Sequence, residues 1–114
     1  MNWFVAKIIF RICNEGSRKL QFDEHIRLIK ANNFDEAFLK ARILGLSEED
    51  AFMNNDNKPV KWEFINVAEL YEINDLKDGS EIYSMITEKE ESSNYIHSVH
   101  QRAIFMQTKE RPLF

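Results

Sequence analysis

Two stretches near the start of the chain alternate apolar and polar side chains. In residues 3–13 every even position is apolar, from Phe4 to Ile12, and in residues 20–28 the even positions are apolar apart from Glu24. A period of two is typical of β-strands with one buried face. The polar residues 14–19, which include a glycine, predict an antiparallel hairpin between the two strands. Because both apolar rows are even-numbered, we expect even positions to pair with even positions.

The spacing changes to that of a helix between residues 34 and 44. Apolar side chains recur there at steps of three and four residues, at Phe34, Ala37, Phe38, Ala41 and Leu44. Asn33 is placed to cap the first turn, with Glu36 in the reciprocal position, and Gly45 is placed to close the helix in a left-handed conformation. Residues 47–53 begin with Ser-Glu-Glu-Asp, which predicts a short second helical turn.

The second half of the chain predicts further strands and a last helix. In residues 60–73 the apolar positions change from even to odd near Ile65 and Asn66, which indicates one bulged strand or two separate strands. Residues 81–87 predict a last strand, and residues 92–106 predict a last helix that carries Ile96 and Val99. This order predicts an α+β fold, with an antiparallel sheet of about four or five strands and two main helices packed on one face. We expect residues 1–106 to form a single domain and residues 107–114 a loose C-terminal tail.

Composition and charge exclude several classes of protein. At 114 residues, with 44% hydrophobic and 30% charged side chains, the chain suits one globular domain. Its net charge of -4 has the wrong sign for a domain that binds duplex nucleic acid through phosphates. No window approaches the roughly 18 apolar residues of a membrane span, and the lone cysteine, Cys13, suits a reducing compartment. We therefore expect a cytoplasmic protein that binds neither duplex nucleic acid nor membranes.

The sequence lacks motifs for catalysis and cofactor binding. Its 3 glycines are too few for a phosphate-binding loop or a dinucleotide fingerprint, and it has no nucleophile elbow. His97 and His100 lie one turn apart on the predicted last helix, but a zinc site needs three or four ligands. We expect no cofactor and no metal, and we assign no catalytic residue.

The odd-numbered face of the predicted hairpin is the candidate binding surface. Trp3, Val5 and Ile9 are exposed there if the helices cover the other face. Apolar groups interleaved with arginine are typical of protein interfaces. We therefore favour a non-enzymatic module that binds a protein partner, most simply a second copy as a homodimer. The expected contact residues are Trp3, Lys7, Arg11, Asp23, His25 and Arg27. The alternative for this face is a solvated sheet surface on which Arg11 and Asp23 form a weak cross-strand ion pair.

A polar pocket is the alternative hypothesis, for a small-ligand-binding protein or an enzyme. Glu24 stands among the apolar side chains expected in the core, and a buried carboxylate there would indicate a site. His25, Tyr71 and Tyr83 would line the pocket with it. A Glu24 side chain turned to solvent would remove the reason to propose this pocket.

Blocks of residues along most of the chain form a further pattern. They are Trp3-x-Val5-Ala6-Lys7 with Arg11, Gln21-Phe22-Asp23-Glu24 with Arg27-Leu28, Asp35-Glu36-Ala37 with Lys40-Ala41-Arg42 and Gly45, Lys58-Pro59-Val60, Trp62-x-Phe64, Val67, Leu70-Tyr71, Gly79 and Tyr83-Ser84. In this order the blocks resemble a small, mainly bacterial family catalogued as domain of unknown function 4288. The resemblance extends to about His100. It implies a single-domain fold and adds no activity, cofactor or partner.

Overall fold

The computed structural model describes residues 1–16 and 18–110 of the chain. Along the chain the elements are β1 (Asn2–Asn14), β2 (Gln21–Ala31), α1 (Phe34–Ser47), β3 (Asp50–Met53), β4 (Pro59–Ile73) and α2 (Ser92–Glu110). Within these residues the strands form one sheet in the order β2-β1-β4-β3, and neighbouring strands are antiparallel. The predicted α+β class with an antiparallel sheet is therefore confirmed, with four strands.

β1 and β2 form the predicted hairpin, but with the opposite parity. Phe4 lies opposite Ile29 and Phe10 lies opposite Asp23, so even positions of β1 pair with odd positions of β2. The expectation that even positions pair with even positions is wrong, because the register depends on the connection, which the apolar pattern does not fix. The apolar row of β2 consequently lies outside the core, and its large side chains are exposed: Leu20 beside the strand, and Phe22, Ile26 and Leu28 within it.

α1 begins where the sequence predicts and ends later. The Asn33 side chain accepts a hydrogen bond from the Glu36 N–H at 2.8 Å, and the Glu36 carboxylate accepts one from the Asn32 N–H at 3.3 Å. The helix then continues to Ser47, and Gly45 lies inside it without a left-handed conformation. The prediction that Gly45 closes the helix is therefore wrong.

Small side chains let α1 approach the sheet closely. Its buried positions are Ala37, Ala41 and Gly45, spaced by four residues. They face the sheet side that carries the buried even row of β1, because a Cβ on Gly45 would lie only 3.2 Å from Ile8 Cγ2. The core on this side consists of Phe4, Ala6, Ile8, Phe10, Ile29, Ala31, Ala37, Ala41 and Phe64. The even row of β1 is thus the core face, as its pattern predicts.

The predicted second helical turn is a strand instead. Residues from Asp50 to Met53 form β3 and pair with β4 from Trp62 to Pro59. Inter-strand hydrogen bonds to β4 outweigh the helix-start signal of the preceding acidic residues. The ring of Phe52 also stacks on that of Trp62, with centroids 5.9 Å apart.

β4 is one strand with two bulges. Its pairing with β1 shifts at two places, so that Ile65 and Ala68 have no partner in the register. The predicted bulge near Ile65 and Asn66 is confirmed. The bulges keep Trp62 and Phe64, and then Leu70, on the α1 side of the sheet.

Residues 81–87 do not form the predicted strand. The chain turns after β4, with Gly79 at φ 87° and the Ser80 N–H donating to the Lys77 carbonyl at 3.0 Å. The ring of Tyr83 then contacts that of Tyr71, with centroids 5.4 Å apart. Tyr83 therefore packs on a side chain of β4, and its segment adds no strand to the sheet.

The chain divides into two compact units, residues 1–84 and 85–114. The first unit holds the sheet and α1. The second holds α2, which carries Ile96 and Val99 as predicted and is helical to Glu110. Residues 107–110 of the predicted tail are thus helical, and residues 111–114 lie outside the described residues. No helix in the described ranges has the length and apolar content needed to cross a membrane.

Candidate functional site

The sheet side opposite α1, here called the open face, carries a row of charged side chains. The Lys7 ammonium lies 3.8 Å from a carboxylate oxygen of Glu24 on β2 and 3.6 Å from one of Glu69 on β4. Further along β1, the Arg11 guanidinium contacts Glu63 of β4 at 3.1 Å. Each cation on the central strand is thus held by a carboxylate on a neighbouring strand.

Charge pairing shifts the pKa values of Arg11 and Glu63 in opposite directions. The hydrogen bond from the Arg11 guanidinium, and then its positive charge, lower the pKa of the Glu63 carboxyl below its ordinary value of 4.5. The same contact raises the pKa of Arg11, so both groups are ionised at neutral pH. The Cys13 thiol also donates to Glu63, at 3.7 Å.

The apolar row of β2 lies at one margin of the open face. Phe22 is 56% exposed, Ile26 60% and Leu28 50%. These positions share a face with Lys7 and Arg11, because Ile26 lies opposite Lys7 and Phe22 opposite Arg11 in the register. The open face therefore has an apolar margin on β2 beside a charged centre.

The apolar side chains of β1 are less exposed than the sequence predicts. Val5 is buried, and Trp3 and Ile9 are half-buried. β1 lies between β2 and β4, so Val5 is flanked by Leu28 on one side and Tyr71 on the other. The expected exposure of these three residues is wrong, because β1 has a strand on both sides and Tyr83 packs on Tyr71, beside Val5 on the same face.

On the α1 side of the sheet, the polar row of β2 forms a chain of contacts. The Trp62 indole N–H donates to Asp23 Oδ2 at 3.1 Å, and the same oxygen lies 2.7 Å from His25 Nε2. The Arg27 guanidinium lies 3.1 Å from His25 Nδ1 and 3.2 Å from a carboxylate oxygen of Glu48, the C-cap of α1. These contacts connect β2, β4 and α1.

The hydrogen-bond partners assign the tautomer of His25. Arg27 can only donate, so Nδ1 accepts and Nε2–H donates to Asp23. The ring also lies against Phe10, with centroids 4.8 Å apart. Both ring nitrogens are therefore occupied, and this arrangement presents no imidazole nitrogen to a substrate as a general base.

The hydrogen bonds also change the acidity of Asp23. The hydrogen bond from His25 is the largest cause of a pKa below the ordinary value of 3.8, and the hydrogen bond from Trp62 and the charge of Arg27 act in the same direction. Partial burial acts against them. Asp23 is therefore a carboxylate acceptor at neutral pH.

The six predicted contact residues divide between the two faces. Trp3, Lys7 and Arg11 lie on the open face, whereas Asp23, His25 and Arg27 lie on the α1 side. The expected ion pair between Arg11 and Asp23 does not form, since Arg11 contacts Glu63 instead. The parity of the hairpin register causes this division.

The four residues of the alternative pocket do not meet. The Glu24 side chain is 60% exposed on the open face, and His25 is on the opposite face. Tyr71 and Tyr83 do contact each other, and burial, followed by the charge of Glu69, raises the pKa of Tyr71. Because Glu24 is turned to solvent, the reason to propose this pocket is gone.

Sequence reasoning missed several participants in these surfaces. Glu48, Trp62 and Glu63 come from segments that the alternation of β1 and β2 does not connect with the hairpin. The alternation identifies Phe22, Ile26 and Leu28 as an apolar row but predicts that this row faces the core, whereas the structure leaves it exposed. Within residues 1–16 and 18–110, no three His, Cys, Asp or Glu side chains are grouped so that they could hold a metal ion.

Comparison with known proteins identifies the family. The model of the family described as Domain of unknown function (DUF4288) matches residues 3–84, which are almost all of the first compact unit. Searches of curated proteins and of solved structures found no match. The resemblance seen in the sequence is therefore confirmed over residues 3–84, short of the expected limit near His100, and the chain belongs to the DUF4288 family.

Proposed function

We propose that this protein is a non-enzymatic interaction module that self-associates through the β2 margin of its open face. The observation that supports the proposal is the row formed by Phe22, Ile26 and Leu28, three large apolar side chains that are at least half exposed on one strand. Glu24 stands between Phe22 and Ile26 on this face, and exposed apolar side chains grouped on one face mark interaction sites in soluble domains. Removing such side chains from water is the main favourable term in most protein association.

The surroundings of this row resemble the rim of an interface. Lys7 and its two carboxylate partners lie beside it, and the Lys30 ammonium lies 5.3 Å from the ring centre of Trp3. An apolar centre with a charged, solvated rim is the usual anatomy of protein interfaces. Trp3, Lys7 and Arg11 therefore lie in the proposed solvated rim beside the apolar contact. As the lone cysteine, Cys13 suits a module of the reducing cytoplasm.

Light scattering after size exclusion tests the proposal on the full chain. Wild type is compared with Ile26→Lys and with the control Ile43→Lys, which changes a residue of the same type and similar exposure, 57% against 60%, on α1. The Ile26 side chain is 60% exposed, so a lysine there extends into solvent, but it lies opposite Lys7 in the hairpin. Urea midpoints of both variants control for folding.

We expect wild type and Ile43→Lys to form dimers. Ile26→Lys should raise the dissociation constant about tenfold or more, since each interface contains the change twice. High salt should not dissociate the dimer, because salt screens interactions between charges but does not weaken the burial of apolar side chains. A wild-type protein that is monomeric at all concentrations, or an Ile26→Lys variant that associates as strongly as wild type, would contradict the proposal.

A further inference from the structure

β2 is an edge strand, and its outer side pairs with no other strand among the described residues. Its 11 residues, from Gln21 to Ala31, contain no proline or glycine. An open edge of this length is a template for another strand. The second half of β4 also lacks a neighbour beyond β3, but both bulges lie there, and bulges interrupt a pairing edge.

The outward groups of β2 can be identified from two hydrogen bonds. The N–H of Glu15, one residue beyond β1, donates to the carbonyl of Pro59, the first residue of β4. The backbone groups of odd positions of β1 therefore point toward β4, and those of even positions point toward β2. Even positions of β1 pair with odd positions of β2, so the backbone groups of those odd positions point toward β1. The Lys40 ammonium donates to the carbonyl of Lys30, an even position, from the outer side of β2. Even positions of β2, including Ile26, therefore present their backbone N–H and C=O groups outward.

Edge pairing fits the surface better than stacking of two open faces. Face-to-face contact would remove the ion pairs of Lys7 and Arg11 from water, and the loss of hydration can exceed the attraction within buried ion pairs. Edge pairing leaves these charges solvated. It also brings the apolar row, which lies on the edge strand itself, beside the same row of a second copy.

We propose that β2 pairs antiparallel with β2 of a second copy about a two-fold axis at Ile26, which joins two sheets into one continuous sheet. This inference rests on the proposed self-association and specifies its geometry. Full overlap of the 11-residue strand puts the axis at its central residue and places Ile26 opposite its own copy. The other facing pairs are Phe22 with Lys30, Glu24 with Leu28, Asp23 with Ile29 and His25 with Arg27.

The charges of β2 disfavour two of the neighbouring registers, and full overlap of the strand favours Ile26 over the rest. With the axis at Ile26, no two side chains of like fixed charge lie directly opposite each other. An axis at Glu24 would oppose two carboxylates, and one at Arg27 would oppose two guanidinium groups. Like charges directly opposite each other destabilise strand pairing.

A disulfide test measures the proposed contact directly. In a Cys13→Ala background, Ile26→Cys should form a cross-linked dimer under mild oxidation, because facing residues that exchange hydrogen bonds have Cα atoms about 5.5 Å apart, within disulfide range. The control is Cys13→Ala with Ile43→Cys, matched in residue type and exposure. We expect cross-linking at position 26 to be at least about tenfold faster than at position 43 at equal protein concentration.

Amide hydrogen exchange gives a readout without any substitution. The outward N–H groups of Ile26 and Leu28 should exchange more slowly at concentrations above the dimer dissociation constant than below it. Protection of both amides together with rapid cross-linking supports the inference. A dimer that Ile26→Lys weakens, but without faster cross-linking or protection of these amides, overturns edge pairing and leaves the proposed function intact. A wild-type protein that stays monomeric overturns both.

Discussion

Gly45 of α1 faces the ring of Phe64 of β4 so closely that a Cβ on the glycine would lie 2.4 Å from ring atoms Cδ1 and Cε1. This is much shorter than a van der Waals contact between carbon atoms. The contact explains why a glycine stands inside a helix, where it is normally unfavourable. The close approach of α1 to the sheet depends on it.

Gly45→Ala should destabilise the protein. Alanine is the better helix former by about 1 kcal/mol, but the clash with a core ring costs about 1–3 kcal/mol, and larger where the ring cannot move. Urea unfolding would measure the change. Gly16→Ala is the matched control, since its nearest neighbour would be 3.7 Å away. Phe64→Leu should reduce the effect of Gly45→Ala, and an alanine variant more stable than wild type would contradict this packing.

Asp23 should make the free energy of unfolding depend on pH. Its pKa in the folded protein is below the ordinary 3.8, chiefly because of the hydrogen bond from His25. The carboxylate therefore contributes stability that is present above the unfolded pKa and is lost as the pH falls through the folded value. We expect the free energy of unfolding of wild type to exceed that of Asp23→Asn at neutral pH and the difference to shrink below pH 3.8. A difference that is constant with pH would show that the charge has no part in it.

Trp62→Phe should remove a hydrogen bond while keeping an aromatic ring beside Phe52. The lost donor bonds Asp23 Oδ2 at 3.1 Å, and we expect a loss of about 1 kcal/mol of stability from this bond. Trp3→Phe is the comparison, since Trp3 is the second tryptophan and contacts the Lys30 ammonium through its ring. Thermal or urea unfolding measures the loss of stability in each variant. Equal losses in both would indicate that the indole N–H of Trp62 contributes little.

Residues 1–84 should fold without residues 85–114. The four strands, α1 and the core all lie within the first unit, which coincides with the family match over residues 3–84. We expect the fragment to show one cooperative urea transition and a circular dichroism spectrum with strand and helix contributions. A fragment without a cooperative transition would mean that the core needs residues 85–114.

Local elements followed from the sequence where short-range physics decides them. The alternation in β1 identified its core face, because successive side chains of a strand point to opposite sides. The Asn33 cap and the bulge near Ile65 were also predictable, since both depend on neighbouring residues. The local pattern does not predict the conformations of Gly45 and residues 50–53, because they depend on the ring of Phe64 and on pairing with β4.

The sequence predicted the two rows of side chains on β2 but not the face of the sheet on which each row lies. The sequence by itself determined that β2 has one apolar and one polar row, that the protein lacks motifs for catalysis, and that it belongs with one family. Only the tertiary structure decided which row of β2 lies on which face, because a one-residue change in register reverses every side chain of a strand. That register placed Asp23, His25 and Arg27 against Trp62 and Glu48, and left Phe22, Ile26 and Leu28 exposed at an open edge.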